Sequence, residues 1–191
     1  DGTIRLKTGE LADTVTTKNG VGSSKQLYLG EYLVTERTAP EGYVQDGKQY
    51  PVSLEYAGQT VKIVTESVTV PNAPQKGTIT VHKTDSETGK PTILSPATFE
   101  IHAKNDIITG DGTVRYQAGE LVDTLTTAGG SATSKPLYLG SYIVTEKTAP
   151  EGYVLNTEPQ EVTLRYGGQT VELVTESVTF ANAPQKGQIV V

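Results

Sequence analysis

The segment LYLGSYIVTEKTAPEGY, residues 137–153, sets a single carboxylate inside an otherwise apolar strand. Tyr142, Val144 and Glu146 alternate with Ile143 and Thr145, so a strand through them carries Glu146 on the same face as Tyr142 and Val144. If that face meets the core, Glu146 is a buried acid. Ala149-Pro150-Glu151-Gly152 then reads as a turn, and Tyr153 restarts an apolar segment. The same phrase occurs earlier as LYLGEYLVTERTAPEGY, residues 27–43, with Glu36 in the place of Glu146.

That recurrence is general. Aligning Asp1 with Asp111 gives an offset of 110 (111 minus 1) that holds without a gap to Val81 and Val191. About three-fifths of the aligned positions are identical, the mark of a tandem array. Residues 77–106 have no counterpart before Asp1, while GTITV at 77–81 returns as GQIVV at 187–191. The expected domains are therefore 1–76, a copy without its first strand; 77–186, a whole copy; and 187–191, the opening of a further one. The linker at Ala73-Pro74-Gln75-Lys76 is short and contains proline, which predicts a semi-rigid succession of modules arranged end to end.

Composition narrows the class. The chain has 191 residues, 35% of them hydrophobic, and Val, Thr and Tyr recur in short alternating runs broken by Gly and Pro. This is an all-β composition. A net charge of -6 and a pI near 5.0 argue against nucleic acid or an anionic membrane as partner. No apolar run is long enough to insert in a membrane as a helix, and the absence of cysteine excludes disulfides and thiolate metal sites. Neither a basic and apolar leader nor a membrane tail occurs, so targeting segments are expected outside this sequence.

Within the whole copy, alternation predicts strands through 79–83, 97–103, 113–116, 120–127, 137–146, 161–166, 170–174 and 177–182. Residues 85–90, 105–112 and 129–131 read as turns or loops, and Gly167-Gly168 as a two-residue hairpin turn. Eight short strands in about a hundred residues imply a β-sandwich.

Three polar residues fall on faces that are otherwise apolar: Lys83 after Ile79 and Val81, Glu146 after Tyr142 and Val144, and Asn182 after Val178 and Phe180. A buried lysine tends to lose its proton, which makes the amine a nucleophile. A buried glutamate tends to stay neutral and can donate a proton. An asparagine offers an amide carbon with ammonia as leaving group. Amine, acid and amide in one dry pocket are the ingredients of a transamidation that ends in a covalent Lys-Asn bond.

The combination of ITVHKTD at 79–85, YIVTEKTAPEGY at 142–153 and the closing VTFANAP at 178–184 resembles Cna B-type domains, found in surface adhesins and pilins of Gram-positive bacteria. The resemblance implies an Ig-like, prealbumin-like β-sandwich with a spontaneous intramolecular isopeptide bond. By matching position it makes Lys83 the nucleophile, Asn182 the acceptor and Glu146 the proton-transfer group. Glu36 and Asn72 match in the incomplete copy, which has no lysine at the corresponding position; Lys7 aligns with Gln117 and does not replace it. The implied function is a stalk repeat of a secreted, cell-wall-anchored adhesin or pilin-like protein, with no cofactor, no metal and no enzymatic turnover.

The implied partners are neighbouring modules, strands of other chains paired head to tail through residues 187–191, and a host surface ligand bound by other parts of the parent protein. An alternative is a binding module recognising host protein or glycan through residues 105–119 and 128–135. His82 and His102 point off the apolar faces and read as solvated rather than metal-bound. Asp106 and Asp111 lack the ligand spacing of a calcium loop and read as parts of a polar turn.

Overall fold

In a computed structural model that describes residues 3–191, the glutamate segment is a strand with its carboxylate buried. Asp1 and Gly2, which open the first copy, lie outside the described residues. In chain order the strands are β1 (Gly30–Thr35), β2 (Tyr43–Val44), β3 (Gln49–Leu54), β4 (Ala73–Pro74), β5 (Lys76–Asp85), β6 (Thr98–Ala103) and β7 (Ile107–Ile108). They continue as β8 (Val114–Tyr116), β9 (Leu121–Thr126), β10 (Ser131–Thr133), β11 (Leu137–Tyr138), β12 (Gly140–Thr148), β13 (Gln160–Leu164) and β14 (Leu173–Asn182).

The chain forms two compact units, Asp1–Arg37 with Gly47–Pro71, and Thr38–Asp46 with Asn72–Val191. These units cut the chain elsewhere than the repeat does, because residues 38–46 and 72–76 of the first copy belong with the second unit.

The second unit is a β-sandwich. One sheet has the order β13-β12-β6-β9, all antiparallel. The other is built on β5, which pairs β14 in parallel along its whole length and takes β10 and β11 antiparallel on its other edge. The inward positions of both sheets supply the core: Ile79 and Val81 from β5, Val178 and Phe180 from β14, Phe99 and Ile101 from β6, and Tyr142 and Val144 from β12. Alternation accounts for this, since each strand presents every second residue inward and those residues are apolar. Phe99 and Phe180 bridge the two sheets with ring centroids 4.9 Å apart and planes tilted by 53°. Gly77 lets β5 and β14 approach: a Cβ there would lie 2.5 Å from Val174 Cγ2 and 3.0 Å from Leu164 Cδ2.

Four expectations need correction. Gly167-Gly168 does not join a paired hairpin, because β13 pairs β12 whereas β14 pairs β5 in the other sheet. Residues 165–172 carry the chain across the sandwich instead, with Gly168 at φ 102° and the Val171 amide bonded to the Gly168 carbonyl at 3.1 Å. The strand expected at 170–174 is the beginning of one ten-residue closing strand. Ser131–Thr133, read as loop, is β10, and Ile107–Ile108, read as turn, is β7. In both cases the ladder partner recruits the segment against its local turn chemistry.

The first unit contains the pair β1 and β3, in which Tyr32 faces Val52 as Tyr142 faces Val162 in the second copy. Residues 63–72, the counterpart of β14, form no strand. In the second copy β14 is held along its whole length by β5. Val34 and Ile63 are exposed, whereas Val144, the counterpart of Val34, is fully buried.

Candidate functional site

Lys83, Glu146 and Asn182 are brought to one buried point at the end of the sandwich. Lys83 is 0% exposed, Asn182 1% and Glu146 5%. Each arrives by strand geometry. Lys83 follows Ile79 and Val81 on the inner face of β5 and stands opposite Phe180 in β14. Asn182 lies one inward step beyond Phe180 on the same strand. Glu146 follows Tyr142 and Val144 on β12, opposite Phe99, and a bulge between Glu146 and Thr148 ends the regular ladder directly behind it. Bulges of this kind re-aim side chains next to functional sites.

Asn182 Nδ2 donates to Glu146 Oε2 at 2.8 Å, and the Asn156 amide donates to the same oxygen at 2.8 Å. Lys83 Nζ donates to the carbonyls of Thr84 at 2.9 Å and Phe180 at 3.1 Å. The Lys83 backbone is fixed as well, its N–H bonded to the Gly130 carbonyl at 2.8 Å and its carbonyl accepting from Thr92 N at 3.1 Å. Glu146 Oε1 and Asn182 Oδ1 are buried acceptors without a hydrogen-bond partner among the described residues. A buried acceptor left in that state costs about 1–3 kcal/mol.

Burial pushes the Lys83 amine below the ordinary lysine range, and the nearby carboxylates of Glu146 and Asp85 oppose that shift without reversing it. The amine, the carboxyl group and the primary amide thus lie together beside the Phe99–Phe180 pair, in surroundings that favour the neutral form of the amine.

Sequence reasoning missed the supporting residues. Tyr153 was read only as the start of an apolar segment, yet its ring lies 5.8 Å from Lys83 Nζ and its hydroxyl donates to Asp85 Oδ2 at 3.0 Å. Asn156 anchors Glu146 through its backbone, for which no side-chain signal exists. The recurrence of APEGY in both copies is the signal that could have found Tyr153.

In the incomplete copy Glu36 and Asn72 are both half-buried, and Asn72 Nδ2 donates to the Val44 carbonyl at 3.2 Å. Glu36 falls in the first unit and Asn72 in the second. His82 and His102 lie in different sheets, and His102 is engaged with the Gly119 carbonyl at 3.0 Å and Glu100 Oε2 at 3.1 Å. Asp111 accepts from Thr109 Oγ1 and Thr113 N, which with Arg115 hold its carboxyl down at about 2. Asp106 accepts from Ala118 N, so both aspartates organise turns.

Comparison with known proteins gives a match to the SpaA family model, a prealbumin-like fold domain, over residues 2–69 and 77–179. The second segment includes Lys83 and Glu146 and stops short of Asn182. Among solved structures the chain is similar to the Bacillus anthracis TIE protein, with 26% identity and a TM-score of 0.64 over 89% of this chain and 28% of that one. It is also similar to the T6 backbone pilin of serotype M6 Streptococcus pyogenes, with 26% identity and a TM-score of 0.38 over 56% of this chain and 21% of that one. The full-length major pilin SpaD of Corynebacterium diphtheriae matches with 22% identity and a TM-score of 0.41 over 58% of this chain and 30% of that one. The chain thus spans less than a third of each of these structures. No curated protein sequence matches.

Proposed function

The chain belongs to the SpaA prealbumin-like fold domain family, a family of structural, pilin-like modules, and from that premise we propose that it is a stalk repeat of a Gram-positive surface adhesin or pilin-like protein, stabilised by a self-formed Lys83–Asn182 isopeptide bond. The observation that supports this best is the burial of an amine, a carboxyl group and a primary amide together, with the amide held by the acid at 2.8 Å.

The chemistry follows from those contacts. The neutral Lys83 Nζ attacks Asn182 Cγ and a new C–N bond forms. Its proton passes to Glu146, and Glu146 returns a proton to Nδ2, the nitrogen it already holds. The Cγ–Nδ2 bond breaks and ammonia leaves. Amine and primary amide become a secondary amide and ammonia, with no oxidant, metal or cofactor in the balance. Each module reacts once, so this is maturation of a structural protein and not turnover. The bond closes a loop of about 100 residues, which on chain-entropy reasoning stabilises the fold by about 4–5 kcal/mol.

In this reading the protein is secreted and held at the cell surface through other parts of its parent. Its partners are further copies of the module, on the same chain or paired head to tail from another, and a host ligand is left to the rest of the parent. Intact-mass measurement tests the central claim. The chain is expected about 17 Da below its sequence mass, the mass of one ammonia lost as an amine displaces an amide nitrogen. A full sequence mass in protein that is folded would sink it.

A further inference from the structure

Asp85 is a second carboxylate at the Lys83 site, two positions further along the same face of β5 and level with Asn182 in the ladder to β14. A carboxylate so placed can pair with the amine, and a lysine held as an ammonium ion has no lone pair with which to attack. The Asp85 oxygens are engaged elsewhere. Oδ1 accepts from the backbone N–H groups of Glu87 and Thr88, both at 2.8 Å, and Oδ2 accepts from the Tyr153 hydroxyl at 3.0 Å. Lys83 Nζ meanwhile donates to two neutral acceptors, the carbonyls of Thr84 and Phe180.

Tyr153 is placed by its backbone. Its N–H closes a turn on the Pro150 carbonyl at 3.1 Å, and it forms a bridge with Pro184. On either side of it, Val154 N donates to the Ala183 carbonyl at 2.9 Å and Gln185 N to the Gly152 carbonyl at 2.7 Å. Residues 183–185 directly follow Asn182, so the strand end that delivers the amide also sets the tyrosine. Asp85 is fixed in the same way: its N–H donates to the Lys90 carbonyl at 2.9 Å, and Ser86 N donates to the Asn182 carbonyl at 2.9 Å. The Thr88 amide first, then the Glu87 amide and the Tyr153 hydroxyl, hold the Asp85 carboxyl below the usual carboxylate range, and the bond to Asp85 pushes the Tyr153 hydroxyl up. At neutral pH the pair is therefore a carboxylate and a protonated phenol. The other titratable group that faces Lys83 is Glu146 from β12; β14 presents Phe180 and Asn182, Thr92 and Gly130 offer backbone groups, and His82 is exposed on the other face of β5.

We propose that Tyr153 is a positioning residue for the isopeptide chemistry: by occupying Asp85 Oδ2 it keeps that carboxylate from pairing with Lys83, which leaves the amine free to attack and Glu146 as the acid that exchanges its protons. The proposal rests on the Lys83–Asn182 reading and adds to it a residue through which no proton or leaving group passes. The two acids of the site are thus divided by their surroundings, one occupied by three donors and the other turned to the reacting amide.

Two measurements test it. In Asn182→Ala no bond can form and Lys83 keeps a titratable amine, whose midpoint is read by NMR across a pH series. Adding Tyr153→Phe, which keeps the ring and removes the hydroxyl, should raise that midpoint by about one pH unit, the tenfold effect of releasing a charged hydrogen-bond partner. Adding Asp85→Asn as well should bring it back, and the asparagine keeps an oxygen for the Glu87 and Thr88 amides, so the turn is retained. In the chain with Asn182 intact, collected in denaturant and diluted into buffer, the loss of ammonia followed by mass should be about tenfold slower in Tyr153→Phe at neutral pH, with the rate recovered at higher pH and by Asp85→Asn. A purely structural tyrosine would slow the reaction without moving the midpoint. A midpoint unmoved by Tyr153→Phe, or a shift that Asp85→Asn does not reverse, overturns the proposal. A parent chain that folds and keeps its full sequence mass overturns the isopeptide reading and this role with it, whereas ammonia loss with the same rate and pH dependence in parent and Tyr153→Phe overturns this role alone.

Discussion

Asn182 presents its amide nitrogen to Glu146 and not to Lys83: Nδ2 lies 2.8 Å from Oε2, while Lys83 Nζ is bound to two backbone carbonyls. The acid therefore already holds the nitrogen that must leave. Glu146→Gln keeps a side chain of the same length but cannot relay a proton. It should leave the chain at its full sequence mass, and Glu146→Ala should do the same. Mass spectrometry decides the matter, and ammonia loss in either variant would assign the proton transfer elsewhere.

The second prediction uses the depressed Lys83. In Asn182→Ala no bond can form, so Lys83 remains a buried amine whose folded-state proton affinity is lowered by desolvation. The unfolded chain returns it to about 10.4. Between the lowered value and that one the unfolded state binds more protons, so stability rises with pH across this window and falls as pH drops through it. Urea unfolding of Asn182→Ala at a series of pH values should show the slope, and Lys83→Met in the same background should abolish its share.

Gly77→Ala tests the closeness of the first and last strands. The added methyl would meet Val174 Cγ2 at 2.5 Å and the Val174 carbonyl oxygen at 3.0 Å, and the second contact is backbone that has no rotamer to change. A loss of about 1–3 kcal/mol in denaturant unfolding is expected, as for overpacking elsewhere. An unchanged midpoint would mean that β5 and β14 slide apart without cost.

Phe99→Ala should be the most damaging of these changes. Its fully buried ring meets Phe180 at 4.9 Å and stands opposite Glu146 in the ladder. Truncation should cost about 3–5 kcal/mol. It should also slow the approach to the lighter mass, since water entering the cavity would solvate and protonate Lys83.

Much of this was legible in the sequence for one physical reason: alternation decides faces. Lys83, Glu146 and Asn182 each continue a run of two inward apolar residues, and all three are buried. Alternation does not decide partners. That β5 and β14 lie side by side, and that residues 165–172 cross between sheets where Gly167-Gly168 suggested a hairpin, depends on which ladder wins a strand. Residues without an inward run to mark them were missed, Gln75 above all, whose burial comes from a turn nearly a hundred positions away.

The parallel pairing of β5 with β14 also sets the order in which the module can fold. The antiparallel pairs of β12 with β6 and with β13 join segments tens of residues apart, whereas Lys76 must wait for Leu173. Closure of the longest loop is thus the last entropy to be overcome, and a topology of this kind folds slowly. During synthesis β5 leaves the ribosome early and stays without its long partner until nearly the whole copy has followed. Lys83 sits on that waiting strand and Asn182 at the very end of its partner, so the two can meet only once the last strand of the copy has been made.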